Sequence, residues 1–292
     1  MATRIKISAL EITKRVALLC MEANYNLGKD VLNALACSCE LEESPVAKEV
    51  FGELLENAEI ARTRQMPMCQ DTGVAVVLVE IGENVEIVDG RLYDAIQEGV
   101  RRGYKEGFLR KSVVRDPLDR VNTGDNTPAI IHTEIVPDNH VKISFMAKGG
   151  GCENMSRLAM LTPADGREGV ITFVVETVKV ASANPCPPII VGVGIGGTFD
   201  HVAFLAKKSL FRPLGTKAAN PDTENLEREL LSRINNLGIG AQGLGGRITA
   251  MAVHVERHPC HIASLPVAVN MECHAHRVKT VVLDSENSGN RE

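Results

Sequence analysis

The chain has 292 residues, 44% of them hydrophobic and 24% charged, an ordinary composition for a soluble globular protein. Its formal net charge is −5 and its lysines and arginines are dispersed, which removes the electrostatic case for a nucleic-acid partner. No apolar run approaches a membrane span, and the first residues lack the basic and then apolar pattern of a signal peptide, so a cytoplasmic address without membrane contact is expected.

Residues 8–39 place apolar side chains at helical spacing, with a break near Asn24-Tyr25-Asn26, and predict two helices. Ser44 and Pro45 open a third, with Ser44 as N-cap and Pro45 in the first position, running to about residue 61. Residues 73–81 form a continuous β-branched run and predict a buried strand; residues 93–109 predict an amphipathic helix. After a polar loop at 122–128, residues 129–135 and 141–146 read as a hairpin around Pro137-Asp138-Asn139. Lys148-Gly149-Gly150-Gly151 reads as a flexible turn before a helix at 153–160. Further helices are expected at 168–181, 199–211 and 223–237, and strands at 188–193, 248–255, 261–269 and 278–283. Neither an internal repeat nor a linker is visible. The expected fold is α/β (α+β), a mixed sheet flanked by helices in a single large domain over residues 1–284, with a polar, frayed tail at 285–292.

The eight cysteines are read as thiols, because a chain of this size without a secretion signal can build a core without disulfides. Three stand alone in distinctive loops: Cys69 before Gln70-Asp71, Cys186 between Pro185 and Pro187-Pro188, and Cys273 before His274-Ala275-His276. Their wide spacing rules out a local zinc knuckle and suits a site assembled by the whole fold. Three thiolates suggest an iron–sulfur cluster with one iron left open, a Lewis acid able to take a substrate oxygen. For each cysteine alone, a structural loop thiol is the competing reading. Cys20, Cys37 and Cys39 lie on helical stretches and are expected in the core, while Cys152, in the glycine turn, is the rival ligand.

Gly192-Val193-Gly194-Ile195-Gly196-Gly197 satisfies the G-x-G-x-x-G pattern between a strand and a helix. No second strand ending in an acidic residue follows at the required distance, so close backbone packing, or an anion held at the helix start, is the better account than a nicotinamide site. His132 reads as a core histidine. His261, at the start of Ile262-Ala263-Ser264-Leu265-Pro266, suits a strand-end residue, a substrate ligand or a proton shuttle.

Taken together, Met68-Cys69-Gln70-Asp71-Thr72-Gly73, Lys148-Gly149-Gly150-Gly151-Cys152-Glu153-Asn154, Cys186-Pro187-Pro188, Gly194-Ile195-Gly196-Gly197-Thr198, Asn236-Leu237-Gly238-Ile239-Gly240 and the run from His261 to Asn270 resemble the class I fumarase and L-tartrate dehydratase family. The likeness covers nearly the whole chain and is to the alpha subunit, or to the N-terminal part of single-chain forms. It implies an oxygen-sensitive 4Fe–4S cluster on Cys69, Cys186 and Cys273, and reversible addition of water to a dicarboxylate double bond. It also implies that Gln70, Asp71, Gly150 and His261 line the substrate, with Asp71 and His261 the acid/base candidates. Arg110 becomes a candidate carboxylate clamp, a solvated arginine at a helix end being the other reading. Cys152 departs from the pattern, standing where a small hydroxyl residue is expected. The single-chain forms carry a further C-terminal domain that this chain lacks, so a separate beta subunit is implied. Fumarate hydration is the leading activity and L-tartrate dehydration the near alternative; a non-catalytic iron–sulfur or zinc-binding scaffold is the alternative from another class.

Overall fold

The computed structural model describes residues 4–284. The expected tail at 285–292 lies outside the described residues. In chain order the elements are β1 (Ile5–Ser8), α1 (Ala9–Tyr25), α2 (Lys29–Leu41), α3 (Pro45–Arg64), β2 (Val74–Gly82), β3 (Val85–Val88), α4 (Leu92–Glu106), β4 (Ile130–Val136), β5 (Val141–Lys148), α5 (Gly150–Glu153) and β6 (Arg157–Leu161). There follow α6 (Gly166–Ala181), β7 (Ile189–Gly197), α7 (Phe199–Ser209), α8 (Pro221–Asn235), β8 (Ala250–Cys260), β9 (Leu265–Glu272) and β10 (Val278–Leu283). The α/β reading holds: helices pack on sheets that mix parallel and antiparallel pairs. The chain divides into two compact units, neither of them continuous in sequence.

Among the described residues, the first unit takes residues 4–27, Ile60–Lys148 and residues 277–284. Its main sheet runs β10-β5-β2-β4, and β1 pairs with β3 in a small parallel sheet. Ser8 caps α1 by accepting from the Leu10 N–H, satisfying a donor that the first helical turn leaves over. Ile12, Val16, Leu19 and Cys20 of α1 then pack with Ile96, Val100 and Tyr104 of α4 and with Val77, Val79, Ile143 and Phe145 of the sheet.

The expected hairpin at 129–146 is corrected here. β4 and β5 do not pair with each other; β2 lies between them, parallel to β4 and antiparallel to β5. The connection passes across the end of β2, where Gly82 donates to the His140 carbonyl and Glu83 to the Val136 carbonyl. A central position suits β2, whose residues 75–79 are all buried.

The second unit takes Gly28–Glu59 and Gly149–His276, with a sheet ordered β6-β9-β7-β8. Alternation along β7 sorts its two faces. Val191 and Val193 point toward α6 and α8, where they pack with Val170, Val174, Leu226 and Leu230. Gly192 and Gly194 face α7: a Cβ on either would lie 2.3 Å from a main-chain oxygen, of Ala206 and Val202 respectively.

Two more expectations are corrected in this unit. The helix foreseen at 153–160 is a single turn, α5, followed by strand β6, because pairing of Arg157–Leu161 with Leu265–Val269 of β9 overrides the helix-forming Leu, Ala and Met side chains. Of the cysteines expected in the core, only Cys20 is buried; Cys37 is exposed and Cys39 half-buried, since α2 buries the stripe Val31, Leu35 and Ser38.

Candidate active site

Cys69, Gln70 and Asp71 belong to a loop of the first unit between α3 and β2, and the Cys69 thiol lies 3.4 Å from Gln70 Oε1. Asp71 Oδ1 accepts from the Gly73 N–H, closing a local turn. The three carbonyls that follow Gln70 all accept from buried side chains. Arg277 donates to Asp71 O, Tyr104 Oη to Thr72 O at 2.7 Å and Gly73 O at 3.1 Å, and Asn126 Nδ2 to Gly73 O at 3.1 Å. Burial holds the Tyr104 phenol well above its ordinary range, so it stays a donor. Asn126 Oδ1 also accepts from Ser112, and the Thr72 hydroxyl donates to the Arg110 carbonyl. The backbone of Arg110 is therefore stitched to the loop of Cys69, while its side chain is exposed.

Cys186 and Cys273 lie in the second unit. Antiparallel pairing of β7 with β9 sets Ile190 opposite Glu272. Cys186 precedes β7 and Cys273 follows β9, so the register brings both to the same end of the sheet. His274 Nδ1 lies 3.1 Å from the Cys186 carbonyl and completes the link. Cys186 is exposed, with φ +54, and Cys273 is buried, its thiol 3.8 Å from the Ala275 carbonyl.

Gly150 opens α5, which rests on the Cys186 loop: the buried Cys152 thiol donates to the Pro185 carbonyl at 3.4 Å. Glu153 anchors the same turn by accepting from Lys207 and Asn270.

His261 stands in an exposed turn between β8 and β9. Its Nδ1 accepts from the Ala263 N–H at 3.1 Å, which puts the proton of the neutral ring on Nε2. It borders a cavity of about 430 Å³ shared with Gly197, Thr198, His201, His258 and Cys260. A wider cavity of about 660 Å³, lined by Arg167, Ile195, Leu226 and Arg257 among others, contains none of the expected site residues. His132 is half-buried on β4. The glycine motif lies within β7, where Gly192 and Gly194 admit α7 against the strand and Gly196 admits the His258 main chain of β8, so close packing accounts for it.

All eight cysteines carry thiols. Among the described residues, no group of three or more His, Cys, Asp or Glu side chains is gathered to hold a metal ion. Cys69 belongs to one compact unit, Cys186 and Cys273 to the other. Chemically the donor set fits an iron–sulfur cluster, since each is a thiol on a loop beside a strand end.

The family described as fumarate hydratase (Fumerase) matches residues 13–282. The chain belongs to that family. An L(+)-tartrate dehydratase subunit alpha, provisionally so named, from Methanocaldococcus jannaschii is 44% identical over 287 residues, covering 95% of this chain and 100% of the relative. The L(+)-tartrate dehydratase subunit alpha of Escherichia coli K12 is 33% identical over 280 residues, covering 94% of this chain and 92% of the relative. The corresponding subunit of Escherichia coli UTI89 is 34% identical over 275 residues, covering 93% and 90%. The resemblance read from the motifs is thus borne out, and this fumarate hydratase family chain is a hydro-lyase. Among its described residues, no helix is long and apolar enough to cross a membrane.

Sequence reasoning missed the residues that hold the loops of this fumarate hydratase family member: Tyr104, Asn126, Gln242, His274 and Arg277. Two left a trace. Asn126 lies in the polar loop 122–128, and Gln242 is the long polar side chain in a run of glycines. Tyr104 and Arg277 carry no local signal, because their partners are distant in sequence.

Proposed function

We propose that this chain is the alpha subunit of a heteromeric hydro-lyase, working with a separate beta subunit in the cytoplasm, that hydrates fumarate reversibly to L-malate. The observation that carries this reading is the pairing of Ile190 with Glu272, which gives the segments of Cys186 and Cys273 a common sheet end. Cys69, Cys186 and Cys273 would hold a 4Fe–4S cluster. When bound, the cluster supplies a Lewis acid toward a substrate oxygen.

Dehydration of L-malate breaks one C–H and one C–O bond; the proton passes to a base, and the hydroxyl leaves as water after gaining a proton. Asp71 is the proposed base, its turn bond to Gly73 fixing the carboxylate. His261, with its proton on Nε2, is suited to donate to a substrate carboxylate or to act as acid. Gln70 and the exposed residue Gly150 supply polar contacts, and Arg110 a charged clamp for the second carboxylate. A base of this kind contributes about 100-fold to 10,000-fold.

The test is anaerobic co-expression with the beta partner, followed by iron and sulfide analysis and hydration assays. Serine at position 69, 186 or 273 should abolish cluster absorbance, whereas Cys152→Ser should retain it. A cluster that survives all three replacements overturns the ligand set. Asp71→Asn with its cluster intact and turnover unchanged removes Asp71 from the chemistry.

L-Tartrate dehydration is the second reading, favoured by the names of the similar chains. Paired assays on L-malate and L-tartrate decide between them by their kcat/KM values.

A further inference from the structure

We propose that Gln242 and His274 are positioning residues that fix the stance of the Cys186 thiol, an inference that rests on the assignment of Cys186 as a cluster ligand. Cys186 sits in the left-handed region at φ +54, a conformation unfavourable for a residue with a Cβ and retained only where the surroundings impose it. The surroundings here are specific. The Pro187 carbonyl accepts twice from one residue, at 2.8 Å from the Gln242 main-chain N–H and at 2.8 Å from its Nε2. His274 Nδ1 stands 3.1 Å from the Cys186 carbonyl and 3.2 Å from Gln242 Nε2, so one ring atom bridges the carbonyl of the cysteine and the amide that grips its neighbour.

A carbonyl oxygen can only accept, so the bond to Cys186 requires the proton on Nδ1; with Nδ1 bare, the same atom accepts from Gln242 instead. The first tautomer ties the ring to the Cys186 carbonyl, and the second ties it to Gln242, whose amide holds the next residue, Pro187. Gln242 is itself left-handed at φ +51. Beside it, a Cβ on Gly243 would meet the Ala183 side chain at 2.3 Å, so this glycine lets the loop of Gln242 lie directly against the turn of Cys186. His274 follows Cys273 in the chain, so the clamp on one proposed ligand is covalently continuous with the other.

The experiment uses the full-length chain, metal-free and anaerobic, and reads amide hydrogen exchange by NMR. The Cys186 N–H, bonded to the Ala183 carbonyl, is the reporter. Gln242→Ala and His274→Ala are expected to speed its exchange about tenfold while the amides of α6 stay unchanged, because only the local opening becomes easier. His274→Asn, whose side-chain amide can replace the Nδ1 donor, should restore slow exchange. In reconstituted complexes the two alanine variants should shift the electron paramagnetic resonance spectrum of the cluster, and His274→Asn should reproduce the wild-type spectrum. An unchanged Cys186 amide in both alanine variants overturns the proposal. So does acceleration shared equally by α6, or failure of His274→Asn to rescue. Should Gln242→Ala not fold, the His274→Ala and His274→Asn pair decides alone. Iron and sulfide analysis of the wild type reads the ligand assignment separately: a wild type that takes up no cluster defeats that assignment whatever the exchange data show.

Discussion

Arg277 donates from Nη1 to the main-chain oxygen of Asp71 at 2.5 Å, from a side chain that is 2% exposed. The same Nη1 reaches Asn24 Oδ1 at 3.1 Å. A buried guanidinium thus holds the residue proposed as base by its backbone. Arg277→Lys keeps the charge and loses the planar fork. It should cost about 2 to 4 kcal/mol in urea unfolding, the range for disrupting a buried charged hydrogen bond. Unchanged stability would show that the guanidinium does not hold this loop.

Tyr104→Phe removes one hydroxyl and almost no volume. The Thr72 and Gly73 carbonyls lose their shared donor, Gly73 keeping its bond from Asn126. The expected loss is about 1 to 3 kcal/mol. Turnover should fall with it while KM changes little, because the loop of Asp71 loosens but the other substrate contacts stay. Wild-type melting and turnover together would dismiss Tyr104 as a brace.

His254 predicts how stability depends on pH. Burial first, then the positive charge of Arg212 and the neighbouring His276, lower its pKa from 6.5 to about 3. The unfolded chain therefore binds a proton that the native state refuses between these values, and stability rises with pH across that window. On acidification below pH 6.5 it should fall by up to about 1.4 kcal/mol per pH unit, and the loss should level off near pH 3. Glu42 adds to the acid sensitivity: burial opposes its charge, but main-chain N–H groups of Arg247, Ser44, Ile248 and Glu43 outweigh it and lower its pKa. Its contribution is complete above the ordinary carboxylate range and is lost as pH falls through the lowered value. Replacing His254 with Gln should flatten the slope between pH 6.5 and 4; an unaltered slope would assign the acid response elsewhere.

Two glycines should respond to alanine in opposite directions. At Gly194 a Cβ would meet the Val202 carbonyl at 2.3 Å and drive α7 off β7, costing about 1 to 3 kcal/mol. At Gly52, inside α3, nothing stands within 4 Å, and alanine should stabilise by up to about 1 kcal/mol through helix propensity. Chemical unfolding of both variants checks the pair. Equal effects would mean that the glycine motif is not a packing device.

What could be read from the chain was local. The apolar spacing of α1 and α2, the opening of α3 at Ser44 and Pro45, the buried run of β2 and the placing of Cys69, Cys186 and Cys273 at loops beside strands all follow from neighbouring residues. What could not be read was pairing. β4 and β5 look like a hairpin until β2 is known to lie between them, and residues 157–161 look helical until β9 is known to run beside them. Cys37 and Cys39 misled for a related reason: a helical cysteine faces the core only if the buried stripe includes it, and on α2 that stripe passes through Ser38. The braces of the candidate site were hidden because a hydrogen bond such as Arg277 to Asp71 joins residues 206 positions apart in the chain.

The edge strand β10, Val278–Leu283, bonds to β5, while the whole of Gly149–His276 between them builds the other unit. During synthesis the ribosome therefore delivers the material of the second unit before it releases the strand that finishes the first. Until then the edge of β5 is bare along Val141–Met146, a template for any passing extended segment. Nascent chains arrested before Val278 should accordingly be those most dependent on chaperones.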